Sequence, residues 1–442
     1  MAARFPVDPF SPDRLPDPTP AESGVDPVFP AIYRAAVSGA DAYRATRVAL
    51  RRDGPILRLG NRFVPIERYR EIAFLALGRA AVSQALAAST ALGEALTQGF
   101  VVGPDPLPPE VPFRSRTVPP RAAAPANDGL AAEALELAQG LGTGDLLLVL
   151  LSAGSAGYLS EAPPGFSAAD WSTFQRDLSR AGASSREVAL LSRVLGRGAV
   201  GGRLSEATRA DVAALVVDRG DGADLVGGGP TRAVTAAERT EARSVLARVG
   251  LAGRAAVDPS APSPDRPLAS GLVPYARPVT LASPADGLRD AGVAAQAKRW
   301  KPMLAELHLP GGPDDAADRL VARTEALVRT SPATGVPGSG RPPRGLLAFA
   351  ATTLDVADGE DEHPAMSRFM ERMQDRLPWR EASVGLFQTA GAAPGGPAPG
   401  LLATVAPGGG RGRTDAVRSL RMRSGITDVG LLAVVAVPNP RE

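Results

Sequence analysis

Ile72-Ala73-Phe74-Leu75-Ala76-Leu77-Gly78-Arg79-Ala80-Ala81-Val82 is the stretch on which the reading of this chain turns. Six apolar residues, a strand's length, run into a glycine. From residue 81 to 98 Ala and Leu then recur at helical spacing, and Phe100-Val101-Val102 forms another short apolar run. A strand that is apolar throughout is buried on both faces. Strand, turn, helix and strand within about thirty residues is the unit from which parallel sheets are built.

Outward from there the unit recurs. Residues 130–141 are helical in pattern, 146–151 (LLLVLL) are continuously apolar, and the small-residue turn Ser152-Ala153-Gly154-Ser155-Ala156-Gly157 follows. Ser167 with Asp170 three residues later predicts a capped helix through Trp171, Phe174 and Leu178. Residues 212–217 predict a strand, and 238–249 a helix behind the cap Thr235. Upstream, residues 28–52 predict helix broken near Gly39, and two short alternating runs around Gly60-Asn61 predict a hairpin over 56–66. Downstream, a second block predicts helix at 314–329, strand at 346–356, helix at 365–376, and strands at 384–388 and 431–437.

The expected fold is therefore α/β, with two lobes, each a mostly parallel sheet flanked by helices, and a cleft between them. The expected organisation is a disordered Pro/Asp-rich tail over 1–27, a Rossmann-like lobe over 28–256, an irregular Pro/Ser-rich connection over 257–290 and a second α/β lobe over 291–442.

Composition narrows the functions. The 442 residues carry 49 Lys+Arg against 47 Asp+Glu, a net charge of +2 with the signs interspersed, which is no polymer-binding surface. Cysteine is absent, which excludes disulfides, thiolate metal sites and a cysteine nucleophile, and the histidines are only His308 and His363. Lysine occurs only at 298 and 301, so arginine carries nearly all the positive charge. No apolar run is long enough to span a bilayer and the N-terminus has no apolar signal segment, so no membrane, no nucleic acid and a cytoplasmic location are expected.

Parallel sheets bind ligands beyond the carboxyl ends of their strands, where backbone N–H groups and helix starts favour anions. Three turns fit: the one bearing Arg79, the one from Ser152 to Gly157, and Asp218-Arg219-Gly220-Asp221-Gly222 leading to Gly228-Gly229-Pro230-Thr231. Neither a Walker-type phosphate loop nor a dinucleotide Gly-x-Gly-x-x-Gly fingerprint with its downstream acid is present. The acidic run from Asp355 to Glu362 beside His363 reads as a solvated loop. The basic cluster Arg411, Arg413, Arg418, Arg421 and Arg423 reads as a solvated helix face.

The order of motifs resembles the glycerate 2-kinase (MOFRL) family across roughly residues 28–438. The resemblance is carried by ILRLGNRFVPI (56–66), AFLALGRAAV (73–82), GDLLLVLLSAGSAGYL (144–159), PPGFSAADW (163–171), VGGRL (200–204), GGPT (228–231) and SGITDVGLLAVV (424–435). It implies a glycerate-kinase-type N-terminal lobe and a MOFRL-like C-terminal lobe. The implied activity transfers the ATP γ-phosphoryl group to the 2-hydroxyl of glycerate with Mg²⁺. The implied site has Arg79 and Asp218 as catalytic residues, Ser152, Gly154, Ser155, Arg193 and Gly229 on substrate and phosphate, and Asp221 on the metal. The implied partners are a small anionic, glycerate-like substrate and a nucleotide, with a homodimer as an option.

The chain departs from the family's pattern at polar positions. Arg79 stands where the turn usually carries lysine, Ala350-Ala351-Thr352-Thr353 lacks a glutamate, His363-Pro364-Ala365-Met366-Ser367 lacks an arginine, an asparagine and an acid, and residues 390–396 hold no carboxylate. The alternative expectation is thus a catalytically inactive member that binds a small anion or serves as a regulatory partner.

Overall fold

The computed structural model describes residues 28–118, 129–220, 222, 228–254, 278–309, 311–331, 344–352, 354, 362–379, 381–388, 400–405, 411–416 and 431–438. The expected tail, Asp221, most of the acidic run and the 390–396 segment lie outside them. The chain forms two compact units, one of residues 42–281 and one joining residues 28–41 to the chain from residue 282 onward.

In the first unit, helix α2 (Ala42–Ala49) leads into a three-stranded antiparallel sheet of β1 (Leu50–Asp53), β2 (Ile56–Leu59) and β3 (Arg62–Pro65). The predicted hairpin is β2–β3, turning at Gly60 with φ +62°. The main sheet comprises β4 (Ile72–Leu77), β5 (Leu96–Gly103), β6 (Arg114–Thr117), β7 (Leu146–Leu151), β10 (Asp211–Val217) and β11 (Val279–Ala282). Every residue of β4 and β7 is buried, as their apolar runs require, and they pair in parallel from Ile72↔Leu146 to Leu77↔Leu151. β5 pairs in parallel with β4 and β6, and β10 with β7.

Helix α3 (Ala81–Leu92) crosses from β4 to β5; it stops at Gly93, φ +53°, earlier than the spacing to residue 98 suggests. Helices α4 (Leu130–Gln139), α5 (Ser155–Leu159), α6 (Ala168–Arg180), α7 (Ser185–Leu195), α8 (Arg203–Ala207), α9 (Gly228–Thr231) and α10 (Ala236–Arg248) complete the unit, with β8 (Ser160–Glu161) and β9 (Arg197–Gly198) as a small two-stranded sheet. Capping boxes open α6 (Ser167 with Asp170) and α10 (Thr235 with Glu238), as their spacing predicts, and a third opens α7 (Ser184 with Glu187).

The sheet order is β11-β10-β7-β4-β5-β6. Numbered from β4 this is 3-2-1-4-5-6, the doubly wound order. The chain moves outward from β4 through β5 and β6, then returns to the opposite flank of β4 as β7. The direction of winding therefore reverses between β4 and β7.

The second unit is built on β12 (Lys301–Leu309), β13 (Gly345–Thr352), β14 (Ser383–Gln388), β15 (Gly400–Val405), β16 (Arg411–Ala416) and β17 (Leu431–Pro438), ordered β12-β13-β17-β14-β15-β16. This corrects the expectation of a second mostly parallel sheet. Only β12–β13 is parallel; β13–β17, β17–β14, β14–β15 and β15–β16 are antiparallel. A buried apolar run reports burial on both faces and is silent on strand direction. The expected basic helix face at 411–413 is also corrected, because those residues lie in β16.

Helices α12 (Pro313–Thr330) and α13 (Glu362–Arg376) cover one face, where Leu320, Phe369, Met370 and Met373 join the strand residues in one core. Helix α1 (Val28–Gly39) packs against α11 (Pro284–Ala297). Their crossing is close: a Cβ on Gly39 would lie 2.8 Å from the Asp286 carbonyl oxygen, and one on Gly287 would lie 3.0 Å from that of Ala36. The Tyr33 ring packs at a tilt against Phe387, 5.4 Å between centroids, and its hydroxyl donates to the Gln388 carbonyl at 2.9 Å. That packing places α1 in this unit instead of the expected 28–256 lobe, and β11 and α11 shorten the expected connection.

Candidate functional site

The carboxyl ends of β4, β7 and β10 are neighbours, since Leu77 pairs with Leu151 and Val216 with Leu151. Three predicted turns therefore stand side by side at one edge, and two flank the point where the winding reverses. Ligands in such sheets bind outside this edge, at that reversal.

The β4 and β7 turns are clasped together. The Gly78 N–H donates to the Val102 carbonyl at 3.0 Å, the Arg79 N–H to the Ala153 carbonyl at 3.0 Å, and the Ala80 N–H to Ser152 Oγ at 2.9 Å. Ser152 Oγ in turn donates to the Leu77 carbonyl at 3.2 Å. The glycine is required twice over. Gly78 has φ +110°, and a Cβ there would strike Ser152 Oγ and lie 2.6 and 2.8 Å from the Ser152 and Ala153 carbonyl oxygens. Ser152, buried and bonded on both sides, is thus the fastener between turns; the Ala80 amide is committed to its hydroxyl and the Arg79 amide to the Ala153 carbonyl. The Arg79 side chain is partly exposed at the start of α3.

The next turn differs. Gly154 caps α5 at φ +86°, is exposed, and meets nothing within 4 Å of a Cβ except the edge of the Tyr158 ring at 4.0 Å. Ser155 beside it is 1% exposed, and its hydroxyl has no hydrogen-bond partner among the described residues. Buried hydroxyls are nearly always paired, so this one marks a place where a hydrogen-bonding group belongs.

At the third turn Asp218 Oδ1 accepts from the Gly220 and Gly222 N–H groups, both at 3.1 Å, which shapes the loop. Among the described residues no group of three His, Asp or Glu side chains is arranged to hold a metal ion.

Gly229 and Arg193 form a separate cluster that borders the site. Helix α9 packs against both α8 and α5. The Gly229 carbonyl accepts from the Gly201 N–H, and that of Thr231 from Ser205 Oγ at 2.9 Å. Arg193, its side chain 1% exposed, donates one Nη to Glu238 at 2.5 Å and the other to the Arg232 and Ala233 carbonyls at 2.9 and 2.8 Å. The structure therefore commits both terminal nitrogens of Arg193 to the protein and removes them from the predicted anion-binding set. Burial raises the Glu238 carboxyl, but the Thr235 N–H, Arg193, the Thr235 hydroxyl and Arg232 outweigh it and hold that carboxyl below its ordinary range.

One residue escaped the reading of the sequence. Gln84, in the first turn of α3, is fully buried and neither end of its amide has a partner among the described residues. The available signal was its setting: AVSQALAASTAL is small and apolar on nearly every face, which leaves a glutamine no solvent side.

No helix among the described residues is long and apolar enough to cross a membrane. The fold is shared with two crystal structures. One is the PH0495 protein from Pyrococcus horikoshii OT3, 17% identical, covering 93% of this chain and 98% of that one with a TM-score of 0.60. The other is a glycerate kinase from Thermotoga maritima, 17% identical, with the same coverage and a TM-score of 0.59. At that identity the likeness carries the fold alone, and it agrees with the resemblance drawn from the motifs. No curated protein matches the sequence. Residues 28–259 match the family described as a domain of unknown function, DUF4147, and because that match spans over half of the 442 residues, the chain belongs to the DUF4147 family.

Proposed function

We propose that this protein is a glycerate 2-kinase-like phosphotransferase whose small-anion site is the carboxyl edge between β4 and β7. The observation that carries the reading is the buried, unpartnered Ser155 hydroxyl beside the open Gly154 turn, at the reversal of a doubly wound sheet. Ser155 Oγ would hydrogen-bond a phosphate or carboxylate oxygen, and the open backbone at Gly154 would let that group approach closely. Arg79 would neutralise charge from the start of α3. Phosphoryl transfer asks for positioning and charge neutralisation more than for a nucleophile from the protein, and these residues supply both.

Magnesium and ATP are the proposed co-substrates. The phosphates of ATP suit the Gly154 turn. The described carboxylates do not fit a protein-held ion, because Asp218 already uses Oδ1 on two loop amides, so no step is routed through one. Asp221 lies outside the described residues. Arg193 and Gly229 are proposed to position α9 beside α5, with no contact to substrate.

A second reading, an inactive member that binds a small anion, is favoured by one observation. The Arg79 and Ala80 amides, which a phosphate cradle at α3 would use, are taken by Ala153 and Ser152. ADP release from Mg-ATP in the presence of D-glycerate separates the two. The first reading expects turnover that Arg79→Ala abolishes. Glycerate binding without any turnover contradicts it and leaves the second.

A further inference from the structure

We infer that Gln84 is a ligand-contacting residue, and that its carboxamide reads a neutral hydroxyl next to the ligand's anionic group. This rests on the β4–β7 edge being the ligand site.

Ten of the twelve α3 residues are buried. A buried polar side chain of the same helix solves its burial locally: Ser89 donates to the Ala85 carbonyl at 2.8 Å. Gln84 finds no such partner. It lies at 0% exposure with Oε1 and Nε2 unmet, whereas buried amides are normally bonded at one end or both. An orphaned primary amide costs more than an ordinary hydrogen bond returns, so a methionine or leucine here would make a more stable helix.

Position supports the assignment. Side chains on a helix lean toward its N-terminus and lie over the preceding turn, which for Gln84 is the start of α3. That start follows the Gly78 turn at the reversal of the sheet. The positive end of α3 and Arg79 are suited to an anion there. A neutral amide, offering one acceptor and two donors, is suited to the hydroxyl beside it. A 2-hydroxy acid carries both features.

The test uses the full-length chain and two probes, D-glycerate and 3-hydroxypropionate, which lacks the 2-hydroxyl. Wild type should bind glycerate about tenfold or more tightly than 3-hydroxypropionate. Gln84→Met, similar in length and without hydrogen-bonding groups, should bind the two alike at the weaker affinity, and should melt at a temperature equal to or above that of wild type. Gln84→Leu repeats the test should the first variant fold poorly. Glycerate affinity unchanged in a folded variant overturns the inference and leaves the site standing. Wild type that binds neither acid overturns the site and the inference with it.

Discussion

Two buried polar clusters stand at the same end of the parallel sheet, and they have opposite hydrogen-bond economies. Around Arg193, two guanidinium nitrogens, two consecutive carbonyls and the Glu238 carboxylate are matched. Ser155, in the turn after β7, and Gln84, in the first turn of α3, are equally buried, and their side-chain polar atoms have no partner among the described residues. The family resemblance implied Arg193 as a ligand residue; its bonding makes it a strut. The comparison teaches that burial alone does not separate architecture from function at this end of the sheet; how the buried group is bonded distinguishes Arg193 from Ser155.

The largest break in that comparison is Arg193→Met. Glu238 keeps Arg232 and Thr235, but the Arg232 and Ala233 carbonyls lose their donor, which should cost about 3 kcal/mol, measured by urea unfolding. A loss below 1 kcal/mol would return Arg193 to the list of ligand residues. Ser152→Ala comes next. It strands the Ala80 N–H and should cost about 1–3 kcal/mol, because Ser152 belongs to the matched class although it sits in the binding turn. Ser155→Ala sharpens the contrast from the other side. Its stability should be unchanged or higher by a fraction of about 1 kcal/mol, since no bond is lost.

The smallest effect concerns acid. Hydrogen bonds from Arg368 and Arg372 hold the Asp314 and Asp318 carboxyls below their usual range, against partial burial that raises them. A depressed folded-state pKa contributes stability above the unfolded value, near 4, that is lost as pH falls through the lower folded value. These pairs are well exposed, so Arg372→Ala should lower Tm slightly at pH 7 and flatten its fall between about pH 4 and 2. The same scan on Arg193→Met should flatten the acid fall further, because Glu238 is the more buried carboxylate.

Much of the first unit was legible in the sequence. LLLVLL and IAFLAL can only be strands covered on both faces, and the helical stretches between them impose parallel crossovers. The second unit was less so. The Leu431–Pro438 run is apolar from Leu431 to Val437, but its antiparallel direction depends on connections that hydrophobicity does not encode. Lys301, Pro302 and Glu306 mask β12, and RGRTDA looks like a solvated surface until it is paired with β15. At the site, Ser152, Gly154 and Ser155 were legible as small residues after a buried strand. That Ser152 is a fastener and Ser155 is unmet was not, because which of two nearby hydroxyls finds a partner is decided by the neighbouring strand. Gln84 required knowing that α3 has no exposed face.

Calorimetric titration of D-glycerate into wild type and Ser155→Ala tests the central claim most directly. The β4–β7 site predicts binding to wild type, a loss of about tenfold or more in the variant, and equal melting temperatures for the two free proteins. Equal affinity in both, or no binding to either, would contradict it.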